Sequence, residues 1–427
     1  MTDQFAPKAG KKTSLIRSLA LSAVFAAGAW LAATPAQGVT LSAALHEQVV
    51  MVPAVSGGQR VQLETTIFKP PGEGPFPILI MNHGKALGDP RTQKRDRFLV
   101  VAREFVRRGY AVVVPMRKGF SKSTGDYSDR GCNMTANGHM QAEDLFGTLS
   151  YLRSQPWADA DHIVVAGQSY GGLTTMAFGS RNYPGVRGLI NFAGGLKVHG
   201  GTCHWKDALV DAFASYGART HIPTLWFYGE NDHHFDHDLA ARMHEAYVHA
   251  GGKARLVAFG RFKNDAHGMV ASRDGVRIWW PETEKFLKSV GMPTETVVAL
   301  ADDYHYEASG YAQVNDLEAV PYLHERGRTQ YQAFLGKTFP RAFALSPTGA
   351  WSWAEEGDDP AARALEDCQK NSNAPCQLYA VDNKVVWAPA ASAMLADGSA
   401  AMPAPAAGTL SGSNQTGDGA DAEVSVQ

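Results

Sequence analysis

The chain carries almost no excess charge. Forty basic residues nearly balance forty-two acidic ones, and the formal net charge is −2. No basic field is left to hold a nucleic-acid backbone, so no nucleic-acid partner is expected. Cysteine is scarce, with four in 427 residues. None lies at a strand-to-helix turn, which argues against a thiol nucleophile. Past residue 36 no apolar run reaches the roughly 20 residues that a membrane-spanning helix needs. No internal repeat is evident.

What the amino terminus does hold is an export pattern. Lys8, Lys11, Lys12 and Arg17 precede the fifteen-residue stretch Leu19–Ala33, and small residues continue through Ala36-Gln37-Gly38. That length suits a signal h-region, with cleavage expected near Ala36 to Gly38; an uncleaved anchor is the other reading. No arginine pair precedes the apolar core and no cysteine lies near the boundary. Residues 1–38 therefore read as a general secretory signal, sending the protein to a bacterial periplasm or the medium. Residues 1–36 carry +3, which leaves about −5 on the remainder.

The most informative stretch is His162-Ile163-Val164-Val165-Ala166-Gly167-Gln168-Ser169-Tyr170-Gly171-Gly172. A β-branched run breaks into Gly-X-Ser-X-Gly, and Leu173 to Phe178 continues as a helix. The pattern alone is weak in a chain with 43 glycines. Its placement between a strand and a helix makes it a nucleophile elbow, where residues without Cβ let Oγ stand clear.

A serine hydroxyl needs a base, and the base needs an orienting carboxylate. The apolar run Thr224–Gly229 ends in Glu230-Asn231-Asp232, and Asp232 is the expected acid. Glu230 falls too early for that role, while Asp236 and Asp238 fall where a helix begins, with Asp236 suited to capping it. After the strand Ala254–Phe259 comes a polar loop with Asn264-Asp265-Ala266-His267-Gly268, which makes His267 the expected base. The order Ser169, Asp232, His267 is nucleophile, acid, base. For the oxyanion, Tyr170 N–H directly follows the nucleophile. The loop after Pro77–Met81 offers Lys85 N–H, with Gly84 next to it, as the second donor.

On these residues the chain resembles the α/β-hydrolase superfamily, and within it the dienelactone hydrolase-like group and the catalytic domain of the prolyl oligopeptidase family. Ser169-Tyr170-Gly171-Gly172, Asn82-His83-Gly84 and Arg117-Lys118-Gly119-Phe120-Ser121-Lys122-Ser123-Thr124-Gly125 carry the likeness, which covers about residues 45 to 292. The Ser-Tyr-Gly-Gly and Arg-Lys-Gly segments are also similar to cocaine-esterase-type acyl hydrolases. The resemblance implies an α/β fold with a mostly parallel, doubly wound sheet. True dienelactone hydrolases usually carry cysteine where this chain has Ser169, which moves the reading toward a serine esterase. The peptidase relatives place a large β-propeller beside the catalytic domain, and fewer than fifty residues precede the first expected strands here.

Four cysteines in an exported protein are expected to pair, and three connectivities exist. Cys368 with Cys376 closes a short loop, and Cys132 with Cys203 would tie two hydrolase-domain loops together; free buried thiols are the alternative. The expected organisation is a signal peptide (1–38), a catalytic domain (39–293), a small cysteine-containing module (294–388) and an Ala/Pro/Gly/Ser-rich tail (389–427). In the module, Tyr322 to Arg341 reads as helix and Leu378 to Trp387 as a hairpin turning at Asp382-Asn383. The module is either an accessory packing unit or a cover over the site mouth.

His233-His234-Phe235-Asp236-His237-Asp238 is rich in metal-ligand types, but its place after the expected acid suits a solvated loop and helix start, and no metal or organic cofactor is expected. Arg117, Lys118 and Lys122 follow the strand at residues 111 to 115 and either attract an anionic ester or, as charged loop residues usually are, are simply solvated. The His83 side chain suits support of the oxyanion loop. Together these features give an exported serine hydrolase that cleaves small carboxylic esters through an acyl-enzyme. A peptidase or amidase of prolyl oligopeptidase type and a non-catalytic binding protein on the same fold are the rivals.

Overall fold

A computed structural model describes residues 41–198, 202–300 and 306–389. The expected signal peptide, and the expected tail beyond residue 389, lie outside the described residues. No described helix is long and apolar enough to cross a membrane.

Eight strands form the main sheet: β1 Gln48–Ser56, β2 Gln59–Phe68, β3 Phe76–Asn82, β4 Ala111–Pro115, β5 Ala158–Gln168, β6 Val186–Phe192, β7 Thr224–Gly229 and β8 Ala254–Phe259. Their order is β1-β2-β4-β3-β5-β6-β7-β8. The β1, β2 and β4 pairings are antiparallel, and every pairing from β4 to β8 is parallel. This is the α/β-hydrolase arrangement that the sequence led us to expect.

Side chains alternate across each strand, so a sheet covered on both faces divides its apolar residues into two layers. Ile78, Ile80, Val113, Ile163 and Val165 face one core, with α2 Met134–Arg153, α3 Tyr170–Gly179, α4 Trp205–Gly217 and α5 His237–His249 supplying its cover. Leu79, Met81, Val112, Val114, Val164 and Ala166 face the other, beneath α1 Leu99–Val106 and α6 Val276–Ser289. Asp236 accepts the Leu239 N–H and caps α5, as its position suggested. Trp226 is fully buried in the first core.

After α6 the alternation stops and a second sheet begins. It contains β9 Arg341–Leu345, β10 Trp351–Glu355, β11 Gln377–Val381 and β12 Lys384–Val385, all antiparallel in the order β10-β9-β11-β12. The hairpin at Asp382-Asn383 forms as expected. The long helix over Tyr322 to Arg341 does not. Helix α7 runs only Glu325–Leu335, and Arg341 opens β9. The physical reason is the Pro340 break together with Gly336, which forms the helix's end. Helix α8, Pro360–Gln369, lays Ala361 and Ala364 against Ala342, Ala344 and Ala354, small residues that let helix and sheet approach closely. Disulfides join Cys132 to Cys203 and Cys368 to Cys376. Both pairs are the expected ones, and they suit an oxidising compartment.

Candidate active site

Ser169 sits between β5 and α3 with φ 56° and ψ −123°, a conformation that costs a non-glycine residue energy. Two glycines make it sterically possible. A Cβ at Gly167 would stand 2.1 Å from the Gly171 carbonyl oxygen, and one at Gly171 would stand 2.0 Å from the Asn82 carbonyl oxygen. Strand, helix and the end of β3 therefore meet closer than any side chain allows. The turn is pinned by Ser169 N–H donating to Phe192 O at 3.0 Å, while Ser169 O accepts from Gly172 and Gly195.

His267 Nδ1 lies 2.9 Å from Asp232 Oδ2. A carboxylate only accepts, so Nδ1 carries the hydrogen and Nε2 keeps its lone pair. The other Asp232 oxygen accepts the His234 and Phe235 amides at 2.8 and 2.9 Å, which locks the carboxylate in place. The competing acids stand elsewhere: Glu230 and Asp238 are exposed, and Asp236 is a helix cap paired with Lys206. Ser169 and His267 line one cavity of about 680 Å³. Among the described residues no hydrogen bond joins Ser169 Oγ to His267. Such contacts are often long before substrate tightens them.

Gly84, Lys85 and Tyr170 line the same cavity. Among the described residues no turn, loop or cap hydrogen bond engages the Lys85 or the Tyr170 amide. Tyr170 opens helix α3, whose N-terminal end favours negative charge. His83 behaves as the sequence suggested. It is buried, its Nδ1 donates to Gly84 O at 2.6 Å, and its Nε2 accepts the Arg117 amide at 3.0 Å. Burial, reinforced by the nearby Arg117 charge, holds the imidazole well below its usual range and keeps it neutral.

Arg117 departs from expectation. Rather than facing an anionic ester or solvent, its side chain is fully buried, donating to His83 O and to Gln141. Burial lowers it to about 10, so it stays charged at neutral pH. Its charge is committed to holding a loop. Of the three histidines in the histidine-rich run, His234 lines the cavity, its ring centroid 4.3 Å from that of His267. No group of residues suited to a metal occurs among the described residues.

Sequence reasoning missed several cavity residues. Leu196, Val198, Val270 and Phe235 give an apolar lining, and Gln93 and Asp96 bring polar groups. Gly357 and Asp358, from the C-terminal module, complete the lining. Asp358 accepts the amides of Arg97, Phe98 and Leu99 at 2.5–2.7 Å. Helix α1 has no side-chain cap of its own at Phe98, so Asp358 supplies it from about 260 residues away. No local signal could have shown this.

The arrangement brings a serine on a strained turn, an imidazole hydrogen-bonded to a carboxylate, and the residues Lys85 and Tyr170 to one cavity. Those are the parts that acyl transfer through a covalent intermediate requires. Comparison with known proteins agrees. Residues 57–220 match the peptidase S15 family, described as X-Pro dipeptidyl-peptidase. A cocaine esterase from Rhodococcus sp. (strain MB1 Bresler) is 32% identical over 133 residues, covering 29% of this chain and 19% of that protein. The chain thus spans about a fifth of the length of the curated relative it matches. Among solved structures, the Pyrococcus furiosus esterase Pf2001 aligns at TM-score 0.43 and 15% identity, covering 59% of this chain and 96% of that one. A Pyrococcus horikoshii acylaminoacyl peptidase aligns at TM-score 0.42 and 15% identity, covering 57% and 41%. Strand order and the elbow at Ser169 give the α/β-hydrolase fold, and the S15 match over residues 57–220 supports a serine hydrolase on it.

Proposed function

We propose that the protein is an exported serine hydrolase that cleaves small carboxylic esters. Ser169 Oγ attacks the ester carbonyl as His267 Nε2 takes its proton, and Asp232 steadies the imidazolium. Lys85 and Tyr170 amides receive the oxyanion. The alkoxide leaves with the proton from His267, and water then deacylates the serine by the same route. The observation that carries this reading is the Asp232–His267 hydrogen bond opening onto the cavity that Ser169 lines. The apolar lining and the volume of about 680 Å³ suit a compact acyl group and leaving group rather than a polypeptide. The two disulfides support export.

The S15 match favours a second reading, release of a dipeptide from a peptide amino terminus. One experiment separates them. The purified protein and Ser169→Ala are treated with a fluorophosphonate probe and assayed on short-chain nitrophenyl esters and on X-Pro nitroanilides. The ester reading expects labelling and ester turnover, both lost in Ser169→Ala, with amide turnover far slower. Amide rates equal to ester rates would move the assignment to a peptidase. No labelling of the wild type would leave a binding protein on a hydrolase fold.

A further inference from the structure

The Lys85 amide can serve as an oxyanion donor only if its peptide plane faces the nucleophile. A peptide unit is planar and trans, so the Lys85 N–H points opposite to the Gly84 C=O. Whatever holds the Gly84 carbonyl therefore aims the donor.

Three side chains converge on that carbonyl. His83 Nδ1 donates to it at 2.6 Å, and Arg117 Nη2 and Gln93 Nε2 each stand 3.5 Å from it. Gln93 also reaches across to the next peptide unit, where its Oε1 accepts the Ala86 N–H at 2.9 Å. Both peptide groups flanking Lys85 are thus tied to one glutamine. Gln93 is itself anchored, donating to Asp96 Oδ2 at 2.9 Å. Arg117 holds the preceding peptide as well, with Nη1 2.6 Å from His83 O. Its guanidinium carbon lies 5.3 Å from the centroid of the Tyr170 ring, the residue carrying the other donor amide. On the far side, a Cβ at Gly84 would stand 2.9 Å from Gln168 Oε1, so the loop is also pressed against the elbow.

We propose that His83, Arg117 and Gln93 are positioning residues that clamp the Gly84–Lys85 peptide in the one orientation that aims its N–H at the oxyanion. The inference rests on the serine-hydrolase reading above. In the free loop the peptide could rotate and turn the carbonyl inward, which would replace a donor with an acceptor. The buried charge of Arg117 resists this, because the inward rotation takes away the Gly84 carbonyl it faces. His83 and Arg117 stand outside the cavity lining and act on the transition state through the Lys85 peptide, while Gln93 also borders the cavity.

Gln93→Met and Arg117→Met test this, with Arg117→Lys as the conservative variant that keeps the charge and loses the planar fork. The assay is nitrophenyl acetate hydrolysis, split into kcat and KM, beside inhibition by phenylboronic acid, whose tetrahedral adduct occupies the oxyanion hole. Removal of one oxyanion donor typically lowers kcat by about 10²–10³. Partial misalignment is expected to cost about tenfold in Gln93→Met and about a hundredfold in Arg117→Met, with KM nearly unchanged. Boronate affinity should fall in parallel, and Arg117→Lys should recover little. Gln93 is partly exposed, so its variant is expected to fold even where a change at Arg117 does not. An active wild type beside a folded Gln93→Met of unaltered kcat, or of lowered kcat with unaltered boronate affinity, overturns the clamp. A wild type that neither labels with fluorophosphonate nor turns over ester overturns the serine-hydrolase reading, and the clamp with it.

Discussion

Asp96 should make the protein less stable as the pH rises through neutrality, and Asp96→Asn should remove that dependence. Its carboxyl lines the cavity and accepts from Gln93, and burial raises it from the ordinary 3.8 to about 7. The nearby Asp358 carboxylate adds to the rise, while Gln93 and Arg117 oppose it. A folded state that holds a proton more tightly than the unfolded chain is favoured at low pH. That advantage is full below about pH 4 and disappears as pH climbs through about 7. At 1.36 kcal/mol per pH unit the full change would be worth about 4 kcal/mol. The Asp96 side chain is 35% exposed to the cavity, so solvent screening reduces this to about 1–2 kcal/mol. Asparagine is nearly isosteric and keeps an acceptor for Gln93. Urea unfolding of both proteins at pH 5 and pH 8 should therefore show Asp96→Asn gaining about 1 kcal/mol relative to wild type between the two. His83, Arg117 and Asp358 face the same group and are present in both proteins, so their own titrations largely cancel in the difference. A stability difference, Asp96→Asn minus wild type, that stays constant with pH or falls toward pH 8 would refute the reasoning.

Two further outcomes follow from the joins between distant segments. Asp358→Ala leaves three amides at the start of α1 without their acceptor, and cap losses run near 1–2 kcal/mol. Unfolding should show a loss of about 2 kcal/mol, and hydrogen exchange should quicken at residues 97 to 102 more than elsewhere in α1. The Cys132–Cys203 disulfide spans 71 residues, for which chain entropy allows at most about 4 kcal/mol. The double variant Cys132→Ala/Cys203→Ala should lose about 2–4 kcal/mol in denaturant while keeping its far-ultraviolet circular dichroism spectrum; a loss near zero would mean the unfolded chain is already constrained there.

The sheet and the elbow were legible because their signals are local. A strand buried on both faces must be apolar along its length, as in Ala111–Pro115, and a nucleophile turn must place glycines where backbones meet. Asp232 and His267 were legible for a related reason: each follows a strand whose end is marked by glycine or by a break in apolar pattern. The second sheet was only half legible. Its hairpin carries its own turn residues, whereas β9 and β10 are five-residue strands that read no differently from the loops around them. Arg117 misled because an arginine in a polar loop looks solvated, and only the closing of His83, Gln141 and Phe120 around it buries the guanidinium.

The hardest part to read was the dependence between α1 and the C-terminal module. Helix α1 has eight residues and is preceded by Phe98 in a left-handed conformation with no side-chain cap, so by itself it would be marginal. The loop that supplies the cap is equally dependent, since Glu356, Gly357 and Asp359 all hold positive φ. Non-glycine residues keep such angles only where their surroundings enforce them. Here Asp358 is held by the three α1 amides, Lys263 pairs with Glu356, and Arg363 donates to the Glu355 and Glu356 carbonyls. Each side therefore stabilises a conformation that the other cannot hold alone. Lys263 also belongs to the loop that leads to His267, and Asp96 precedes α1 in the same cavity wall. The module is thus tied at once to the loop leading to His267 and to the segment that leads into α1. A substitution that frees residues 356–359 should consequently alter the shape of the substrate cavity before it disturbs the Asp232–His267 pair, and show first as a change in ester preference at constant fluorophosphonate labelling.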